Sequence, residues 1–193
     1  MLTSSLLFSS ISIYALFLYS YPYVKDILAW QTIPHPFTFS VFFILTSINA
    51  SILYSESHFY ALVPIIAELL LFIVYIYFGC RNFKKIKNTS MFDIICFILA
   101  ISCILIFIFF WVLEAIIATM IVDTIALLPT LKKVYFQPHT ETAVMWAWSA
   151  CFFLFLLLTI KDYTWQNTLF WIYLFFADAF TAAYVVFFQK FKK

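Results

Sequence analysis

The feature that most constrains this chain is the recurrence of long, uncharged apolar stretches. Seven of them follow one another along 193 residues, and most of the charge sits in the short segments between and after them. A helix rising ~1.5 Å per residue needs about 20 mostly apolar residues to cross the hydrocarbon core of a bilayer. By that measure, spans are predicted near 4–23, 37–55, 58–80, 91–111, 114–133, 142–160 and 165–189. Composition points the same way: 66% of the residues are hydrophobic and 10% charged, whereas soluble domains run near half apolar and a quarter charged. Backbone polar groups cannot be left open in lipid, and the alternation of a barrel is missing, so the spans are expected to be helices. The run from 91 to 131 is too long for one crossing, since about 41 residues would reach ~62 Å. It must turn, and Glu114, the only charge between Asp93 and Asp123, marks the turn with Trp111 beside it. The first stretch is expected to be retained rather than cleaved as a signal: Met1 to Ser5 carry no Lys or Arg, and no small-residue cleavage site follows.

Orientation follows from the basic residues. With seven spans, Lys25, Arg81, Lys84, Lys85, Lys87, Lys132, Lys133, Lys190, Lys192 and Lys193 fall on one side, and only Lys161 falls on the other. The positive-inside rule puts the rich side in the cytoplasm, with the N-terminus outside and the C-terminus inside. The run near residues 81–87 is read as part of that topology signal rather than as a patch for lipid or nucleic acid. A plasma membrane, the inner one in a bacterium, is the expected location.

The chain also repeats itself. Pro22 and Pro129 are expected to close helices one and five, and Lys25 and Lys132 follow each by three residues. Mid-helix acids, Glu68 and Asp178, come next, and Lys84-Lys85 and Lys192-Lys193 end the two halves. The offsets between these pairs stay between 107 and 110 residues. That constancy predicts two three-helix repeats, 1–85 and 113–193, joined by a linker and helix four in 86–112. The odd linker helix makes both repeats enter the membrane from the same side, so they are parallel.

The segment Leu128-Pro129-Thr130-Leu131-Lys132-Lys133-Val134-Tyr135, followed by Thr140-Glu141-Thr142, resembles the motif of the PQ-loop and SWEET (MtN3-like) transporter superfamily. A fainter copy runs through Tyr21-Pro22-Tyr23, Lys25, Pro34-His35-Pro36 and Thr38. The motif's Gln is replaced by Tyr23 and Thr130, and its turn Gly by Thr142. The resemblance implies the same three-plus-one-plus-three layout and a small-solute carrier. It also implies gating hinges at Pro22, Pro36, Pro129 and Pro138, which otherwise serve only to end helices at the interface.

Three acids lie near the expected midplane: Glu68, Asp123 and Asp178. A carboxylate there is costly, roughly 2.5–3.5 kcal/mol on insertion scales, and no Lys or Arg lies in the middle of a span to balance it. Each must be protonated, face a watery cavity, hold a cation or polar ligand, or bond across helices to a hydroxyl. The resemblance puts a substrate cavity at the third helix of each repeat, and it adds a small polar residue of helix two (Ser47 or Asn49, near Thr46) and Trp148 of helix six. Packing for Ser47 and Asn49 and interfacial anchoring for the Trp pair stand as the other readings, anchoring being preferred for Trp146. Asp93 reads as a cap on helix four with Ser90, and Glu56, Glu114, Glu141 and Asp162 as solvated loop charges.

Several function classes drop out. One glycine, Gly79, leaves no Gly-rich phosphate loop and no Gly-Xaa-Gly-Asp protease motif, and it argues against glycine-mediated helix packing. Cys80, Cys96, Cys103 and Cys151 have neither metal-ligand nor disulfide-framework spacing and read as buried free thiols. His35, His58 and His139 lie in different loops, so no metal site is expected. A retinal protein needs a Lys inside the last helix, and a KDEL-type receptor or voltage sensor needs basic residues in the middle of spans; neither is present. No enzyme activity and no cofactor are expected. The partners anticipated are the lipid bilayer and a small polar solute (a sugar, an amino acid or a cation), with no nucleic acid and with homo-oligomerisation left open. Transport would be uniport or coupled to protons through Glu68 and Asp178. The competing reading is a non-transporting membrane subunit or assembly factor on the same fold.

Overall fold

The computed structural model describes residues 2–55, 59–83, 91–107, 112–158, 160 and 163–191. Its described residues form seven α-helices and no strand: α1 (Leu2–Leu28), α2 (Pro36–Ser55), α3 (Phe59–Asn82), α4 (Met91–Phe107), α5 (Val112–Phe136), α6 (Ala143–Leu157) and α7 (Trp165–Phe191). A 3-10 turn, Pro138–Thr140, precedes α6. The long apolar run does divide between α4 and α5. The turn expected at Trp111 to Glu114 comes earlier, because Glu114 lies within the first turn of α5 and is not a loop residue. Trp111 lies outside the described residues, as do Ser90, Glu56, His58, Asp162, Lys84, Lys85, Lys87, Lys161, Lys192 and Lys193.

Pro22 and Pro129 do not end their helices. Both lie inside, and α1 runs on to Leu28 and α5 to Phe136. A proline removes one backbone donor and crowds the preceding turn, but the turns after it are free to continue. What ends α1 is a left-handed residue, Trp30 at φ 60. The Trp30 amide donates to Ile27 O (3.1 Å) and the Gln31 amide to Asp26 O (2.9 Å), which satisfies two of the last carbonyls.

The packing order is the same in both halves of the chain. α3 packs against α1 and α2; α7 packs against α5 and α6. Across the halves, α1 lies on α6 and α2 on α5, while α4 covers α5 and touches α2. The main core joins Tyr19, Tyr23, Phe39 and Tyr75 to Trp146, Phe152, Leu174 and Val185. A smaller one fixes α4 through Val41, Leu45, Ala100, Val122 and Ala126.

Gly79 corrects the expectation that glycine plays no part in packing. A Cβ there would meet Pro34 O at 2.8 Å and Pro36 Cα at 3.3 Å, so the bare backbone lets α3 press against the loop between α1 and α2. The thiols need a smaller correction: Cys80, Cys96 and Cys151 are free, but Cys80 is exposed and Cys151 half-buried, and only Cys96 is buried as expected; the side chain of Cys103 lies outside the described ones.

The surface inverts the usual arrangement. On α3 the exposed positions are Val63, Ile66, Leu70, Ile73 and Tyr77, and the buried face carries Glu68. α4 exposes Ile94, Ile95, Ile98 and Leu99 and buries Asp93. Large exposed apolar surfaces of this kind mark contact with lipid or with partners. Among the described residues, Leu62–Asn82 and Thr168–Phe191 are long and apolar enough to cross a membrane, and Pro36–Ser51, Met91–Ser102 and Ala143–Leu157 form shorter apolar helices.

Candidate functional site

Glu68, Asp123 and Asp178 line one cavity of about 40 Å³ between the two halves of the helix packing. They come from α3, α5 and α7. Seven aromatic rings, from Tyr19, Phe39, Phe42, Phe72, Trp146, Phe153 and Phe170, form most of the wall, and Thr46 and Ser149 add hydroxyls. At ~10–15 Å³ per water-sized group, the space admits roughly three non-hydrogen atoms in this conformation. No basic residue is among its lining.

Each acid is held by one hydroxyl from a neighbouring helix. Ser149 Oγ donates to Asp178 Oδ2 (2.6 Å). Tyr173 OH donates to Asp123 Oδ2 (2.9 Å) and is itself placed by Thr124 Oγ1 at 2.7 Å. Tyr19 OH reaches Glu68 Oε1 at 3.4 Å, the long limit of such a contact. The second oxygen of each carboxyl makes no hydrogen bond among the described residues. No group of three His, Cys, Asp or Glu among the described residues has the geometry to hold a metal ion.

The remaining expected residues lie elsewhere. Trp146 is buried and lines the cavity, whereas Trp148 is 36% exposed. Residues two apart on a helix point in opposite directions, so only one of the pair can face inward. Ser47 and Asn49 are half-buried and do not line the cavity; Ser47 Oγ donates to Phe43 O of its own helix (2.7 Å). Their neighbour Thr46 takes that place. Pro36 opens α2 and Pro138 opens the 3-10 turn, both buried; Pro129 is buried within α5 and Pro22 is half-buried within α1. Spacing held a signal for Ser149 and Trp146: with Met145 and Phe153 they repeat at three and four residues along one face of α6.

Below the cavity a polar seal joins the helix ends, and its members read differently in sequence. Glu141 is 2% exposed and not a solvated loop charge. Its carboxylate pairs with Lys133 Nζ and accepts from Trp146 Nε1 at 3.1 Å. Lys133 also donates to Ile33 O (2.6 Å) and Thr140 O (3.3 Å), which satisfies the ammonium completely with buried acceptors. Gln189 of α7 donates to Pro138 O (3.0 Å) and Glu141 O (2.8 Å). Thr142 donates to Asp26 Oδ2 (2.8 Å) and shares a 2.6 Å bond with Thr32, so the α1–α2 loop and the start of α6 are tied together. Asp93 pairs with Lys132 across α4 and α5 at 3.1 Å. His35 lies fully buried here beside Phe37 and Phe83. Burial, then the charges of Lys133 and Lys132, push its pKa down to about 3 and keep the ring neutral.

No family model, no curated protein and no solved structure matches this chain.

Proposed function

We propose that this chain is a seven-span membrane carrier that moves a small polar solute through the cavity of Glu68, Asp123 and Asp178 by alternating access. The observation that carries the reading is the convergence of three unbalanced acids from three helices on one cavity between the halves. Acids inside an apolar bundle are costly to keep, and a site that exchanges them with solute or protons gives them a use. The matching packing order of α1–α3 and α5–α7 supports two parallel three-helix repeats, 1–85 and 113–193, with α4 in the linker. The apolar outer faces of α3, α4 and α7 support lipid as the surrounding solvent. The distribution of Lys and Arg supports an outside N-terminus and a cytoplasmic C-terminus in a plasma or bacterial inner membrane. The resemblance to the PQ-loop and SWEET superfamily agrees with this layout. On this reading the Lys133–Glu141 seal closes the cytoplasmic mouth, and Pro22, Pro36, Pro129 and Pro138 lie where that mouth would open.

A second reading has its own observation. Each acid already accepts a hydroxyl from Tyr19, Tyr173 or Ser149, and the cavity is small. Such acids suit a non-transporting subunit or assembly factor in which they join helices.

A thermal-shift panel on purified protein in detergent separates the two. It contains sugars, amino acids, nucleosides and organic cations at pH 5.5 and 7.5. A ligand at ~100 times its Kd adds about 2.7 kcal/mol to the folded state. A carrier gives a pH-dependent hit that disappears in Glu68→Gln and Asp178→Asn. If nothing binds and both substitutions lower stability, the acids act as joints between helices and the subunit reading replaces it.

A further inference from the structure

We propose that the solute taken by this cavity is a small organic cation, an alkylammonium or guanidinium without a carboxylate of its own. The inference rests on the carrier reading above and narrows its solute to one class.

Charge comes first. Three carboxyls line the cavity and none of its lining residues is basic. Each presents one oxygen that no other described group bonds. A neutral sugar could not take the place of a carboxyl proton, and the carboxylate of an amino acid would meet the acids without a base to receive it. A cation carrying N–H donors meets both needs, because charge-assisted bonds to carboxylate oxygens are the strong ones.

The walls choose among cations. An inorganic ion wants a closed shell of oxygens, and no suitable three-residue cluster exists among the described residues. Seven aromatic rings surround the acids instead. Aromatic faces attract ammonium and guanidinium groups, and they accept the attached carbon atoms as well. Size agrees, since about 40 Å³ suits a solute of only a few non-hydrogen atoms, such as ethylammonium or guanidinium, and is far below a hexose.

The chemistry closes without a covalent step. One cation enters and one carboxyl proton leaves, so the cavity's charge is unchanged. The proton departs to solvent on the side from which the cation came.

The test uses the full chain in proteoliposomes and guanidinium as the probe. Guanidinium stays charged at working pH and does not leak as a neutral base. The expected result is guanidinium counterflow that ethylammonium inhibits and that glucose, glycine and sodium do not. Asp178→Asn should weaken guanidinium about 10- to 100-fold, the loss of one charged hydrogen bond. Where that variant does not fold, ethylammonium competition in the unsubstituted protein carries the test. Counterflow of glucose or glycine, or sodium-selective flux, with neither organic cation acting, overturns the cation assignment and leaves the carrier reading standing. Absence of flux and of thermal stabilisation with every compound overturns the carrier reading and the assignment with it.

Discussion

At the residue scale, the pair Lys133–Glu141 shows how a charge is kept inside a low-dielectric interior. The two side chains are 1% and 0% exposed. Lys133 donates to Ile33 O and Thr140 O besides its carboxylate, and Glu141 accepts from Trp146. Desolvation of two such ions is offset only when the remaining donors and acceptors are satisfied. Removing one partner strands the other, so Glu141→Leu and Lys133→Met should each destabilise the fold by about 3–5 kcal/mol. The apolar double variant Lys133→Met/Glu141→Leu should recover most of that loss, and a double-mutant cycle of unfolding free energies measures it. Equal and additive losses would mean the two groups act independently. Sequence revealed the central acids because a charge inside an apolar run is conspicuous. It hid Glu141, because a charge three residues after a proline and between threonines has the local pattern of any polar loop. Only the return of α6 and α7 past that loop, through Trp146 and Gln189, makes it interior.

At the scale of the elements, helix existence was legible and helix ends were not. Apolar length separates the seven helices, since a long uncharged run leaves few ways to satisfy its backbone. The ends depend on partners distant in sequence: α1 passes Pro22 and stops at Trp30, whose ring receives Arg81 of α3 at 5.7 Å. Facing is decided in the same way. Trp146 and Trp148 are alike in sequence, and the packing of α6 on α1 and α7 turns one in and the other out. The close contact of α3 with the α1–α2 loop is the sharpest such case, because it occurs at Gly79, the one glycine of the chain. Gly79→Ala puts a methyl 2.8 Å from a backbone carbonyl that cannot swing aside. It should destabilise by about 1–3 kcal/mol, against the small gain alanine gives an open helix position. Ala67→Gly on the same helix, a half-buried site, serves as the propensity control in the same thermal-denaturation series. A stabilised Gly79→Ala would show that the loop can move away.

At the scale of the whole molecule, the proposed carrier requires all seven helices to cross a bilayer. Leu62–Asn82 and Thr168–Phe191 meet the length and hydropathy for crossing on their own. The others are shorter in their apolar part or carry acids and hydroxyls, yet they bury those groups against one another: Asp123 against Tyr173, Asp93 against Lys132, Thr38 against Ala126 O. A polar group satisfied within the bundle no longer opposes the lipid, so a helix can be apolar to the bilayer while mixed in sequence. The exposed faces of α1 and α4, with Tyr14, Phe17, Ile94 and Ile98, fit that account. Alkaline phosphatase fusions decide it. If only α3 and α7 crossed, the segments at 108–111 and 137–142 would lie on one side, and fusions in both would give the same activity. With seven crossings they lie on opposite sides: active at 108–111, inactive at 137–142, active again at 161–162. A C-terminal fluorescent protein should then be bright, as the basic residues near that end require of a cytoplasmic terminus. The pair at 108–111 and 137–142 carries the most weight, because α5, with Asp123 at its centre and Lys132–Lys133 near its end, is the helix whose crossing the proposed carrier cannot do without.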